Sequence, residues 1–254
     1  MQYFLWHEGE GNRGSNEIGS CILRYLDFLK NAQKITDECC KELDIIFYSD
    51  NCCGQQKNKY LLAMHLYIVN IYKWVNSITH KFLIAGHSQN EGDNVHSVIE
   101  KQVTRAKKSG PIFVPEQYVT LIRCAKKTGT PYKVCEINHE DIYDLKELAA
   151  DMNFSNNLKD SDGNTFKISE VKVLKVEQAV DGLRKFLYKT SYEQREFKVV
   201  EIKSRKNSKI ASSITLEKAY PTKLQISDKK KEGILSLFPK KLVPNMYLPF
   251  YSNL

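Results

Sequence analysis

Seven consecutive residues, Leu43-Asp44-Ile45-Ile46-Phe47-Tyr48-Ser49, constrain this chain more than any other stretch. After Asp44 they are apolar or β-favouring throughout, and the run stops at a carboxylate, Asp50. A segment this short and this rich in β-branched and aromatic residues reads as a strand. Its near-continuous apolarity is the pattern of a strand buried on both faces, as in a parallel sheet. Parallel neighbours need a crossover, usually a helix, and the flanking sequence offers helices on both sides. Ile18, Cys21, Ile22, Tyr25, Leu26 and Leu29 recur at spacings of three and four, which predicts an amphipathic helix over 16–33 capped by Ser15. Residues 59–76, with Leu62, Leu66, Val69, Ile71 and Val75, predict a long helix. Thr79 to Ala85 predicts a second strand that Gly86 breaks. Asp93 to Lys107 predicts a helix with Val95, Val98, Ile99 and Val103 on one face.

The remaining chain extends the alternation. Residues 2–6 read as a strand followed by a glycine-rich turn, with no lead-in before it. Helices are expected over 115–127 and 140–151, with a short strand at 133–137 between them. A polar stretch with the turn Asp160-Ser161-Asp162-Gly163-Asn164 places a boundary near 155–165. Beyond it, 167–176 and 197–203 alternate as strands do, 177–187 reads as helical and 228–238 as a basic helix, and Pro239, Pro244 and Pro249 predict an extended end. The fold class expected is therefore α/β, a sheet flanked by helices over 1–155, with a basic β-containing region over 165–254.

A chain of 254 residues that is 42% hydrophobic can build a sizeable core. The formal charge is +8, and its distribution is uneven. Residues 1–166 hold 19 Lys+Arg against 21 Asp+Glu, whereas 167–241 hold 19 against 9. A basic segment beside a near-neutral one points to an anionic partner such as nucleic acid, or else to a solvated lysine-rich surface. Phe186, Tyr188, Tyr192, Phe197 and Tyr220 interleave with those cations, which suits base stacking and equally suits the core of a small β-rich region. Seven cysteines, an odd number, with no basic-then-apolar leader at Met1 and no apolar stretch of membrane-spanning length, predict reduced thiols inside the cell.

Two motifs could carry chemistry. Tyr48-Ser49-Asp50-Asn51-Cys52-Cys53-Gly54-Gln55-Gln56-Lys57-Asn58 puts a carboxylate at a strand's carboxyl end, ahead of a polar turn. Mg²⁺ needs only one or two carboxylates plus substrate oxygens, and Gln55, Lys57 and Asn58 could contact a phosphate backbone. The plainer alternative is an Asp that closes the strand in an Asx turn. The second motif is His87-Ser88-Gln89-Asn90-Glu91-Gly92-Asp93-Asn94-Val95-His96. Asp93 and His96 are three apart and share a face if a helix begins at 93, whereas Asp93 could simply cap that helix. His87, Glu91 and His96 do not match a standard zinc spacing. The adjacent pairs Cys39-Cys40 and Cys52-Cys53 lack zinc-ribbon geometry. There is no Walker loop, dinucleotide-binding glycine motif or nucleophile elbow.

Trp6-x-Glu8, Arg13-Gly14-Ser15-Asn16-Glu17-Ile18, Tyr48 to Asn58, Gly86-His87-Ser88 with Asp93 and His96, and the closing Leu235-Ser236-Leu237-Phe238 to Tyr247-x-x-Phe250-Tyr251 together resemble an uncharacterised, transposon-derived domain common in invertebrate proteins. Such domains are similar to the ribonuclease-H-like fold of cut-and-paste transposases. The resemblance implies a three-acid, two-metal phosphodiester chemistry using Mg²⁺ or Mn²⁺. Asp50 matches the second acid, Asp93 the third with Glu91 as its substitute, and His96 is a proton shuttle or outer ligand. The first acid would lie upstream of the Trp6 strand, so the sheet is expected to lack its first strands and the chain to be inactive as given. Cys53-Gly54 and Gln55-Gln56 stand where Gly-Gly and Gln-Asn are more usual.

Nucleic-acid contacts are expected from Gln55, Lys57, Asn58, His87, Lys203, Arg205 and Lys206, with DNA as partner, no membrane, and an intracellular location that is nuclear if DNA is the target. Two other readings share the same residues: a domesticated nucleic-acid-binding module, and a protein-interaction domain presenting basic and aromatic surface.

Overall fold

The computed structural model describes residues 1–35, 43–84, 91–154, 157–178, 184–202 and 213–254. They form two compact units, each built from separate stretches of chain. One comprises Met1–Asn12, Gln89–Ile142 and Tyr220–Leu254, the other Arg13–Ser88 and Tyr143–Ala219. The molecule is mixed α/β, as the alternation predicts.

The second unit carries the larger sheet. Strands β2 (Leu43–Ser49), β3 (Val75–Phe82), β5 (Val173–Glu177), β6 (Arg184–Lys189) and β7 (Lys198–Ile202) lie in the order β2-β3-β5-β6-β7. β2 and β3 are parallel, joined through helix α2 (Lys59–Ile71); every later pairing is antiparallel. The sheet thus takes strands from both sides of residues 155–165. Every residue of α2 from Leu61 to Val69 is buried. A helix apolar on all sides must be covered on all sides, and α2 lies between β3 and β5 on one side and helices α1 (Ser15–Ala32) and α5 (Leu145–Asp151) on the other. Gly19 of α1 permits that closeness, because a Cβ there would sit 2.2 Å from Leu145 Cδ1 and 2.9 Å from Met64 Sδ.

Several expectations need correction. β2 is not buried on both faces. It is a sheet-edge strand whose Leu43, Ile45 and Phe47 pack on the core, while Ile46 and Tyr48 are 52% and 57% exposed. Helix α2 stops at Ile71, where Tyr72 takes an extended backbone, so Val75 opens β3 instead of closing the helix. In α1, Cys21 and Leu26 of the expected stripe are buried and Ile22 and Leu29 pack on the core, but Leu23 joins them and Tyr25 is exposed. Gly14, not Ser15, is the cap residue, and its N–H donates to the Glu17 carboxylate at 2.8 Å. Residues 184–189 form a strand, because Phe186 and Tyr188 pair with Val176 and Leu174 on the core side; 179–183 lie outside the described residues. Those two aromatics are core residues, stacked edgewise on Phe166.

The first unit pairs β1 (Gln2–Leu5) in parallel with β4 (Lys133–Glu136). Helices α3 (Glu91–Ser109) and α4 (Pro115–Arg123) pack together, and Ile122, Ala125 and Tyr132 form a small core with Tyr3, Val95 and Ile99. Helices α6 (Asp228–Leu235) and α7 (Leu248–Ser252) complete it. The end is therefore not extended throughout: Pro249 sits in the first turn of α7, where a missing N–H costs nothing. Glu10 is buried and accepts hydrogen bonds from the His139 N–H at 2.9 Å and its ring Nδ1 at 2.8 Å, with Lys223 at 3.0 Å. Burial would raise its pKa, but these donors outweigh burial and lower it to about 2. Among the described residues no helix is long and apolar enough to cross a membrane.

Candidate functional site at the end of strand β2

Asp50 follows β2 at the carboxyl end of the one parallel strand pair in the larger sheet, and its side chain is exposed. Its Oδ1 accepts the Cys52 N–H at 3.2 Å, which is the Asx-turn geometry. That bond engages one oxygen and leaves the carboxylate at the surface, so the turn role and a ligand role are compatible. The N–H groups of Gln55, Gln56 and Lys57 all reach the Cys52 carbonyl, at 3.2, 2.9 and 3.1 Å, and curl the chain into a tight cup.

The polar residues after Asp50 are held from inside. Lys57 is buried, and its ammonium donates to Asn51 Oδ1 at 3.1 Å and to the Ser169 carbonyl at 2.7 Å, beside the Phe82 ring. Burial, with the nearby Lys172 charge, lowers its pKa. Asn51 in turn donates to the Leu83 carbonyl at 2.5 Å. Asn58 is the cap of α2: its Oδ1 accepts the N–H groups of Tyr60 and Leu61, both at 3.1 Å, and its Nδ2 donates to the Cys53 carbonyl at 3.1 Å. Of the three residues expected on phosphate, Lys57 and Asn58 have their side-chain donors engaged within the chain, and Gln55 is half-buried at the surface of the cup.

Asp93 and His96 are exposed on α3, three residues apart, and α3 begins two residues earlier than expected, at Glu91. Asp93 is therefore inside the helix. The His96 ring meets Tyr3 edgewise at 6.3 Å. These residues belong to the first unit and Asp50 to the second. His87, Lys203, Arg205 and Lys206 lie outside the described residues. The cationic segment is divided: of its 19 Lys+Arg, six fall in the first unit and 13 in the second.

Two groups beside Asp50 escaped the sequence reading. One is on the exposed side of the sheet, where the Lys81 ammonium lies 5.3 Å from the Tyr48 ring centre. The other is on the core side. Ser49 Oγ lies 2.8 Å from His80 Nε2, and His80 Nδ1 lies 3.1 Å from His65 Nε2. Phe47 stacks on His65 and Phe82 on His80. Burial lowers both imidazole pKa values, that of His80 to about 4. The signal was present: a histidine inside Met64-His65-Leu66, on a wholly apolar helix, must find a polar partner.

For a divalent cation, Asp50 supplies one hard oxygen donor at an open edge, which suits Mg²⁺ or Mn²⁺ shared with phosphate oxygens. Asn51 Oδ1 is already bound by Lys57. Among the described residues no group of three or more His, Cys, Asp or Glu is arranged to hold a metal ion.

The class defined so far is a mixed α/β protein with an exposed carboxylate at a parallel strand's end. A family model described as a domain of unknown function, DUF7869, matches residues 2–191, and the chain belongs to that family. No curated protein and no solved structure matches it.

Proposed function

We infer that this is a transposase-derived, ribonuclease-H-like domain that binds DNA at the β2 edge, with Asp50 sharing a Mg²⁺ or Mn²⁺ ion with a phosphate, and that it does not cleave. The observation that carries this reading is the grouping of an exposed ring, Tyr48, with the Lys81 ammonium and the exposed Asp50 carboxylate on one sheet edge. Bases stack on such a ring whatever their sequence, and a cation beside it tracks the backbone. Both units carry positive excess, 24 Lys+Arg against 19 Asp+Glu in the second and 14 against 11 in the first. A nuclear location follows if genomic DNA is the target.

The test is fluorescence anisotropy of a labelled single-stranded oligonucleotide against salt. Each phosphate contact should add about −0.7 to the slope of log affinity on log salt. Tyr48→Ala should weaken binding about tenfold, within the range for one lost stack. No binding even at about 50 mM salt, where phosphate contacts are strongest, excludes the reading. Robust Mg²⁺-dependent cleavage that Asp50→Ala abolishes would overturn the non-cleaving part alone.

A further inference from the structure

The chain Ser49–His80–His65 ends on an atom with nothing to bond. His65 Nδ1 is sealed from solvent and has no hydrogen-bond partner. Each neutral imidazole carries one N–H and one bare nitrogen, so two arrangements satisfy the two observed contacts. In the first, Ser49 donates to His80 Nε2, His80 Nδ1–H donates to His65 Nε2, and His65 is left with a buried N–H that bonds nothing. In the second, His65 Nε2–H donates to His80 Nδ1, and His80 Nε2–H donates to Ser49 Oγ. The Ser49 hydroxyl then donates to the carbonyl oxygen of Asp50, which lies 3.0 Å away. Here every donor is used and the unmatched atom is a bare nitrogen. Orphaned buried N–H groups are the rarer and costlier defect.

We propose that His65, His80 and Ser49 form a one-way donor chain that ends on the main-chain carbonyl of Asp50, and that Ser49 is thereby a positioning residue for the Asp50 carboxylate. The proposal's second clause rests on the cation reading given above. The chain anchors Asp50 from the core side while Cys52 N–H holds its carboxylate from the turn. The side chain is then presented at the edge with its main chain fixed. The same arrangement removes Ser49 as a nucleophile, since His80 turns an N–H toward the hydroxyl and cannot accept its proton. Phe47 and Phe82, stacked on the two rings, fill the space that either ring would need to flip.

The test uses the full chain, labelled with ¹⁵N, at neutral pH. Long-range proton–nitrogen correlation of the imidazoles reads which nitrogen carries each proton. Both buried rings should be neutral with Nε2 protonated, and a proton on Nδ1 of either ring overturns the donor chain. Mn²⁺ is then titrated while broadening of the Asn51 and Cys52 amide signals is followed. Ser49→Ala should weaken Mn²⁺ about tenfold, the size of effect seen when a group that orients a ligand is lost, and Ser49→Thr, which keeps the hydroxyl, should restore it. Wild-type affinity in Ser49→Ala together with loss in Asp50→Asn overturns the positioning role. Undiminished Mn²⁺ broadening in Asp50→Asn instead removes the cation reading and the positioning clause with it, while the proton assignments are judged on their own spectra.

Discussion

Acid should destabilise the second unit before its carboxylates are protonated, and the buried imidazoles set the size of the effect. His80 is held neutral by burial, with its pKa lowered from 6.5 to about 4. As pH falls through 6.5 the unfolded chain takes up a proton that the folded chain refuses until about pH 4. The unfolded state therefore binds more protons across that window, and stability falls as pH falls. The gap converts to about 3 kcal/mol for His80 alone, at 1.36 kcal/mol per pH unit. His65 is shifted the same way and adds to the loss. Against a typical stability of about 5–15 kcal/mol this is a large share. Two tryptophans, Trp6 and Trp74, allow the units to be followed apart, because they fall one in each. In a Trp6→Phe variant, fluorescence of the buried Trp74 reports the second unit alone. With a slope of about 3 kcal/mol per molar, the urea midpoint should drop about 1 M between the two ends of the window from His80 alone, and further with His65. His80→Gln should make that drop clearly smaller by removing the share of His80, leaving the share of His65. A flat midpoint in the parent chain, or equal drops in both, would refute the assignment of the acid sensitivity to the buried rings.

Gly19→Ala should cost about 1–3 kcal/mol in the same Trp74 assay, the usual cost of overpacking, since the new methyl meets Leu145 and Met64 at the α1–α2–α5 junction. Glu10→Gln should destabilise the first unit, read through Trp6 in a Trp74→Phe background. Glu10's pKa is depressed from 4.5 to about 2, so its contribution is present above 4.5 and is lost as pH falls toward 2, and the variant should lack that acid-side decline.

The alternation of strands and helices was readable because periodicity reports which side of an element is covered. It does not report how many neighbours a strand has. Leu43 to Ser49 looked like a central strand, yet β2 lies at an edge, and Ile46 and Tyr48 are apolar on a solvent-facing side. Asp50 was found from its place after an apolar run, and its Asx turn was one of the two alternatives that the sequence left open. Asn58 illustrates an ambiguity of chemistry. The amide that could contact a phosphate is the same group that caps α2, and the cap is read only from the Asn preceding an apolar helix. His65 and His80 sit 15 residues apart in two elements, and nothing local shows that a parallel crossover brings them together. Lys57 reads in the sequence as a residue able to reach a phosphate; its burial depends on Ser169, 112 residues away, which no local pattern shows.

The first unit draws on three separated stretches of chain, and that has a consequence for the order in which it can form. Lys230 pairs with Glu8 across 222 residues, and the His139 N–H closes on Glu10 across 129. A ribosome adding about 5–20 residues per second takes roughly 10–45 s to span the longer interval. Throughout that time the Glu8 carboxylate is made but unmatched, while β1 and Glu10 wait the shorter interval to β4 and His139. The residues 13–88 and 143–219 between them can meanwhile assemble their own sheet. Maturation of this protein during synthesis is thus governed by a waiting time at its front end. A synonymous-codon pause between residues 142 and 220 would lengthen the exposure of that front end without changing a single side chain.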